Sequence, residues 1–296
     1  MCSVHDPGIA QAVDELVQAL TKADTDKYTR ATATLNGRLQ KNWKQSYEAA
    51  LDGALRVLRR TPTPELTEAG INGVLQSLEV SLGVPLAGSV AVDIQKVVDL
   101  TYESAAKDIA TTDYLFSLTD ERAIDFLGKN NTYWIGSYYG NNLSAEVAKV
   151  GQVALSEGLT KRQAGLLFQN TFRDVFKDRT RAYWNGFATN VVTQGREFGH
   201  VGGYEFAGTE YYRIVAIIDD LTSPICLKMH NTVYPAKRAV QLRDAIMDIP
   251  TPEGIKSVNK WYTPDELEGT APGDYPPAMS LPPYHFNCRT RSVHEK

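Results

Sequence analysis

Residues 211–230 have the sequence YYRIVAIIDDLTSPICLKMH, and this stretch decides the fold of the second half of the chain. Its first eight residues are mostly β-branched or aromatic and predict a strand. Residues 219–224 predict a turn, and residues 231–235 predict a second strand that returns beside the first. The sequence therefore predicts a β-hairpin here, followed by a short helix over 240–247.

The chain before this hairpin is predicted to be helical, because apolar residues recur every three or four positions, as on one face of a helix. We expect a helix over 8–24, a break at Asp24-Thr25-Asp26, and a much longer helix over 27–60. A last helix over 178–199 is expected to end before Gly202-Gly203. The long helix carries a stripe of seven large side chains: Leu35, Leu39, Trp43, Tyr47, Leu51, Leu55 and Leu58.

After the hairpin, residues 250–283 are rich in Pro, Gly and Asp and show little periodicity. An irregular excursion of this length must be held by specific contacts or be mobile. The predicted fold class is α+β: a mainly α-helical N-terminal half followed by a smaller α+β C-terminal module with a β-hairpin and a long irregular Pro/Gly-rich excursion. At 296 residues the chain is expected to form two domains, a helical domain over 1–150 and an α+β domain over 151–296.

The composition argues against several classes of protein. The formal charge of −4, without a polybasic tail, does not favour a dedicated nucleic-acid binder. No run of eighteen apolar residues occurs, so no membrane partner is expected, and the N-terminal residues do not resemble a signal peptide. The three cysteines are far apart in sequence, which argues against a disulfide framework and for a reducing compartment.

Two short clusters bracket the last eighty residues and suggest a metal site. Cys226 and His230 are separated by three residues, and His285 and Cys288 by two. Such close pairs of sulfur and nitrogen ligands are typical of tetrahedral zinc sites, with two ligands from each pair. The alternative is that both cysteines are small buried apolar residues, with His285 hydrogen-bonded to a backbone turn and Arg289 paired with Asp219 or Asp220.

The same clusters carry a resemblance that covers residues 150–293. The chain resembles the phage head-morphogenesis family, the minor head proteins similar to the F protein of phage Mu and its counterpart in phage SPP1. The resemblance rests on residues 155–160, on Gly195-Arg196 and on two ordered motifs: Asp219, Thr222 and Cys226, then Pro282, His285, Cys288 and Arg289. The family's first cysteine corresponds to Ser223 here, so its ligand quartet is incomplete, and His230 is the expected replacement.

The resemblance implies a minor structural protein of a tailed-phage or prophage head. Such a protein is made in the host cytoplasm and is then part of the virion, at the capsid interior or the portal vertex. Its implied partners are the portal protein, the major capsid protein and the packaged DNA, and its implied cofactor is zinc. The helical domain over 1–150 would be the part that docks during assembly. The residues implied to form the structural motif of the module are Asp219, Asp220, Thr222, Pro282 and Arg289.

An enzyme is the first alternative. Cys226 and His285 could be a thiol nucleophile and its base, with Asp219 or Asp220 orienting the imidazole, as in a hydrolase. A metal at the same cluster could instead activate water for a nuclease. Because the chain has no phosphate-binding glycine loop, nucleophile elbow or HExxH, we expect no enzyme and assign no catalytic residue.

A DNA-binding packaging accessory is the second alternative. Such a protein would contact phosphates without reading bases. Its affinity for DNA would fall steeply between low and moderate salt. The predicted phosphate contacts are Lys177, Arg179, Arg181 and Arg291, beside Arg289.

Overall fold

The structure, a computed structural model, describes residues 7–60, 64–82, 84–110, 114–135, 139–178 and 181–295. Within these ranges seven helices precede the first strand. They are α1 (Pro7–Arg60), α2 (Glu68–Leu82), α3 (Val84–Ala110), α4 (Leu118–Tyr133), α5 (Tyr139–Ser156), α6 (Lys161–Asp178) and α7 (Arg181–Ala207).

A small sheet follows, and it confirms the predicted α+β fold. Its strands are β1 (Tyr211–Val215), β2 (Val233–Pro235) and β3 (Arg291–Glu295), in the antiparallel order β2-β1-β3. β1 and β2 form the predicted hairpin, with the short helix α8 (Pro224–Met229) between them, whereas β3 was not predicted. The remaining helices are α9 (Ala236–Met247), which confirms the predicted short helix, and α10 (Ile255–Val258).

The chain forms two compact units, each built from separate stretches of sequence. The first unit comprises Met1–Thr34, Asp99–Asp120 and Val192–Lys296, and the second comprises Leu35–Val98 and Glu121–Val191. The predicted boundary between residues 150 and 151 lies within α5 and inside the second unit, so the compact units do not follow it.

The second unit has an apolar core of the kind that the periodicity predicts. Leu35, Leu39, Trp43 and Leu58 of the predicted stripe are buried, and its other three residues are half-buried. The rings of Trp43 and Trp184 lie 5.5 Å apart between centroids. Helix α5 packs against both α2 and α6, and these three helices add further buried side chains: Val74, Leu78, Val147, Ala154, Ala164 and Phe168.

The predicted break at Asp24-Thr25-Asp26 is wrong, because α1 runs without interruption from Pro7 to Arg60. Asp and Thr are poor helix formers, but each costs only about 0.7 kcal/mol or less relative to Ala in a helix interior. Nucleating a new helix is costly by comparison, which favours continuing the existing one.

The predicted end of α7 before Gly202-Gly203 is also wrong, and the glycines have another role. A Cβ atom added at Gly199 would lie 2.3 Å from the Tyr102 carbonyl oxygen, and one added at Gly203 would lie 2.8 Å from the Ala106 carbonyl oxygen. Within the first unit these glycines therefore let α7 approach the backbone of α3 closely. The helix ends at Ala207 instead, followed by Gly208 with a φ of 64°.

The irregular excursion is held by specific polar contacts. Arg238 of α9 donates to the Ser280 hydroxyl (2.7 Å), to the Gly273 carbonyl (2.8 Å) and to the Tyr275 carbonyl. The Tyr212 hydroxyl of β1 donates to the Ser280 carbonyl. Short 3₁₀ turns provide further regular structure, at Pro252–Gly254, Asp265–Leu267, Pro272–Asp274 and Pro277–Ser280.

The stretch Glu68–Ala110, which contains α2 and α3, is long and apolar enough to cross a membrane by length and composition alone. Of the most apolar 18-residue segment within this stretch, 33% is buried inside the protein. A single stretch of this kind is weak evidence for a membrane span, because the core helices of soluble proteins can have the same composition.

Candidate metal centre

The first motif forms a defined turn after β1. The Thr222 hydroxyl donates to the Ile217 carbonyl (2.6 Å) and accepts from the Asp219 amide (2.8 Å). The Asp219 carboxylate accepts from the Leu221 amide (2.9 Å). Asp and Thr suit this turn because their short side chains hydrogen-bond to backbone groups nearby. The turn directs the chain into α8, which carries Cys226.

Helix α8 begins at a local N-cap. The Ser223 hydroxyl accepts from the Cys226 amide (3.3 Å), and Pro224 occupies the first helical turn, where a backbone N–H would have no partner within the helix. The helix places Cys226 in the interior of the protein.

His230 is not part of the candidate ligand group. It is the C-cap residue of α8, and its Nδ1 accepts a hydrogen bond from the Ala216 amide (3.2 Å). The imidazole therefore supports the chain reversal between β1 and β2. The predicted set of four ligands becomes three, because His230 lies outside the group that the other three residues form.

The second motif is positioned by a buried proline and a tight turn. Pro282 is buried and is joined to Pro283 by a cis peptide bond, and Asn287 has a φ of 65°. His285 Nδ1 lies 2.8 Å from the Phe286 carbonyl, to which only a protonated nitrogen can donate. In the neutral ring this leaves the lone pair on Nε2, which faces Cys226 Sγ at 3.2 Å.

Cys226, His285 and Cys288 bring one candidate ligand atom each to within 4.8 Å of one another. The two sulfurs are 3.7 Å apart, and both cysteines are free thiols. A tetrahedral zinc with Zn–S bonds of about 2.3 Å places two thiolate sulfurs about 3.8 Å apart. The spacing of the sulfurs therefore fits one edge of a zinc tetrahedron, whereas a disulfide would require about 2.0 Å.

The protonation of the two thiols is coupled. Hydrogen bonding with Cys288 lowers the pKa of Cys226 to about 6, whereas hydrogen bonding with Cys226, together with burial, raises the pKa of Cys288 to about 12. Hydrogen bonding with Cys288 also raises the pKa of His285. A metal that binds both sulfurs as thiolates must displace the proton that this pair retains at neutral pH.

An ion pair joins the two motifs beside this cluster. Both terminal nitrogens of Arg289 donate to the Asp219 carboxylate, at 2.7 and 2.5 Å. Hydrogen bonding from Arg289 lowers the pKa of Asp219 to about 2. Asp220, the other predicted candidate for this ion pair, is exposed.

A buried polar network in the first unit holds the segment around Cys288, and it was not predicted. Thr193 donates to the Cys288 carbonyl (3.1 Å), and Arg196 donates to the Thr290 carbonyl (2.8 Å) and to Glu197 (2.8 Å). The second carboxylate oxygen of Glu197 accepts from the amide (2.9 Å) and the hydroxyl (2.7 Å) of Ser292. Helix α7 is thereby joined to the chain that carries the second motif into β3.

The pKa of Glu197 shows how strongly this network stabilises the carboxylate. Burial alone would raise the pKa, but the charge of Arg196, the nearby His200 ring (3.8 Å) and the hydrogen bond from Ser292 lower it to about 2. The sequence signal for this network was slight. Gly195-Arg196 belongs to the resemblance, but no pattern marked Glu197 as buried.

The predicted phosphate contacts are not assembled into a described site. Arg291 is buried in β3, opposite Val215, and is therefore not placed to contact DNA. Arg179 and the side chains of Lys177 and Arg181 lie outside the described residues, so their contacts with phosphate stay predictions.

No protein-family model, curated protein or solved structure matches this chain.

Proposed function

We propose that this chain is a minor structural protein of a tailed-phage or prophage head, which associates with the portal protein and the major capsid protein during head assembly and DNA packaging or delivery. The observation that carries the proposal is that the two motifs of the resemblance meet in space. Asp219 pairs with Arg289, and Cys226 contacts both His285 and Cys288. Such a meeting is expected if the two motifs belong to a single module.

The hydrolase alternative is less well supported by the same geometry. The 3.2 Å contact between Cys226 and His285 would suit a nucleophile and its base. However, Nδ1 of His285 contacts the Phe286 carbonyl, and Asp219 is engaged by Arg289. The carboxylate that would orient the imidazole in a triad is thus paired elsewhere.

The composition of purified particles tests the phage-head proposal. Heads are isolated from a host strain that carries this gene in its phage or prophage, and their proteins are quantified by mass spectrometry. The chain should copurify with heads at low copy number, and co-expression with the portal protein of the same phage should give a complex. Heads that lack the chain, together with no portal complex, would contradict the proposal.

Zinc binding is a second proposal, which concerns the structure of the module. Cys226, His285 and Cys288 would hold the ion and thereby join the two ends of the excursion. With three protein ligands, the fourth position falls to water or to an additional group. Ser223, where the related family has cysteine, lies at the N-cap of α8 with its hydroxyl hydrogen-bonded to the Cys226 amide.

Elemental analysis of protein purified without chelator tests the zinc proposal. We expect about one zinc per chain, as for a structural site. The zinc should be lost in Cys288→Ser and retained in the control Cys2→Ser, which removes the third cysteine. Ser223→Cys should increase the affinity, because it supplies a further thiolate. A parent protein that neither takes up zinc nor is stabilised by added zinc would rule the site out.

A further inference from the structure

A groove in the second unit has an apolar floor. It lies between the C-terminal end of α1 and the first turns of α6 and has a volume of about 350 Å³. Leu55, Leu58 and Leu166 form the floor, and Leu166 is 55% exposed. The floor therefore offers contiguous aliphatic surface to an apolar side chain from another molecule.

The rim of this groove is cationic. Arg59, Lys161 and Arg162 line it, and no carboxylate is among its described lining residues. Arg59 and Arg162 are both exposed. The groove thus favours an occupant that combines an aliphatic side chain with a carboxylate. Its described lining includes no aromatic ring, so it lacks the stacking surface that single-stranded nucleic acid uses.

A segment with the required chemistry lies on the first unit, in the turn after β1. Leu221 is 81% exposed and Ile218 is 48% exposed, and Asp220 is exposed beside them. The turn is fixed by the hydrogen bonds of Thr222 and by the pairing of Asp219 with Arg289. A segment that is already ordered loses little conformational entropy when it binds.

We propose that the Asp220-Leu221 turn of one copy of this chain docks into the groove of a second copy. Leu221 would pack on the leucine floor, and Asp220 would pair with Arg59 and Arg162 at the rim. The two surfaces are different, so the contact is heterologous and generates closed rings or extended filaments. This self-association is independent of the phage-head proposal.

Sedimentation velocity over micromolar to millimolar protein concentrations measures the association. The parent should assemble reversibly, and added salt should weaken the assembly because exposed ion pairs are screened. Asp220→Asn/Leu221→Ser, the turn variant, should weaken association by about tenfold or more, and so should Arg59→Glu/Arg162→Glu, the groove variant. The matched controls are Leu227→Ser, at a half-exposed leucine of α8, and Lys41→Glu/Lys149→Glu, at exposed lysines of α1 and α5.

A mixing experiment distinguishes this contact from other modes of association. The groove variant retains an intact turn, and the turn variant retains an intact groove. Each should be monomeric alone, and an equimolar mixture should form a heterodimer that grows no further, because the two remaining surfaces are the disabled ones.

Gly165→Leu is a second groove variant that keeps every charge. A Cβ atom at Gly165 would lie 3.8 Å from Leu55 Cδ2 and 3.9 Å from Leu58 Cδ1, which are ordinary contacts, so a larger side chain would fill the groove. Gly165→Leu should also abolish assembly. A parent that stays monomeric at every concentration would overturn the proposal, and so would assembly that survives in both the groove and the turn variants.

Discussion

The two compact units use different interactions in their interiors. Among the described residues of the second unit, the buried polar ones are neutral asparagines, Asn36, Asn130 and Asn131, set among buried leucine, valine and alanine side chains. In the first unit the described buried residues include charged groups: Asp120, Arg196, Glu197, Arg243 and Arg291.

This difference predicts which changes will destabilise each unit. A buried charge is tolerated only while its partners remain, since removing one partner leaves the other desolvated and unpaired. An apolar core loses stability in proportion to the atoms removed and is indifferent to pH. The first unit should therefore respond to charge removal and to acid, and the second to large-to-small substitutions.

The largest expected effect is that of Glu197→Ala. It removes the acceptor for Arg196 and for both donors of Ser292, so we expect a loss of about 3–5 kcal/mol in the free energy of unfolding. Urea denaturation measures the total loss, and hydrogen exchange over residues 288–295 should show the local release of β3. An unchanged exchange rate in that segment would mean that the network does not hold the strand.

Acid should selectively weaken the first unit. The pKa of Glu197 is about 2 in the folded protein and 4.5 in its reference state, so the stabilisation is present above about pH 4.5 and is lost as the pH falls towards 2. The loss from this group is at most about 3 kcal/mol. Urea denaturation from pH 7 to pH 3 measures it. Glu197→Gln, which cannot ionise, should lack this part of the pH dependence, and an identical dependence in that variant would contradict the assignment.

A pair of glycine substitutions compares a close helix contact in one unit with an open helix surface in the other. Gly199→Ala would place Cβ against the Tyr102 carbonyl in the first unit and should cost about 1–3 kcal/mol. Gly37→Ala meets no atom within 4 Å in α1 and should stabilise the protein by up to about 1 kcal/mol. Thermal denaturation of both variants checks the contrast. A neutral Gly199→Ala would show that α3 and α7 are not in close contact.

The smallest expected effect concerns an exposed ion pair of the second unit. Asp125 and Lys129 of α4 are 2.7 Å apart and largely exposed. Asp125→Asn should change the free energy of unfolding by less than about 0.5 kcal/mol, because such pairs are screened by water and salt. A loss in the free energy of unfolding as large as that of Glu197→Ala would show that the two units do not differ in their dependence on charged groups.

The sequence was sufficient where side-chain periodicity alone determines structure. The stripe from Leu35 to Leu58, the hairpin and the two Cys/His clusters were all predictable, because each depends on local spacing. His230 was predicted as a ligand since its spacing from Cys226 suits a metal, but spacing does not reveal that the Ala216 amide uses its imidazole.

The remaining features depend on contacts between residues distant in sequence. Gly202 and Gly203 predict a helix end when only their neighbours are considered, yet the helix continues, and Gly203 is required by the nearby backbone of α3. β3 has a largely polar sequence, RSVHE, and its pairing with β1 is fixed partly by Glu197, more than ninety residues earlier. The residues on either side of β3 in the sequence do not predict such a pairing.

The discontinuous arrangement of the two units also constrains the order in which they can form during translation. All residues of the second unit have been synthesised once residue 191 is added, so its core can close while the ribosome is still elongating the chain. The first unit cannot be completed at that stage. The residues of α1 and α3 that belong to it cannot complete their packing before β3 is synthesised. Until Arg291–Glu295 emerges, the nascent chain exposes the unpaired edge of β1. Such an edge is a binding site for a chaperone.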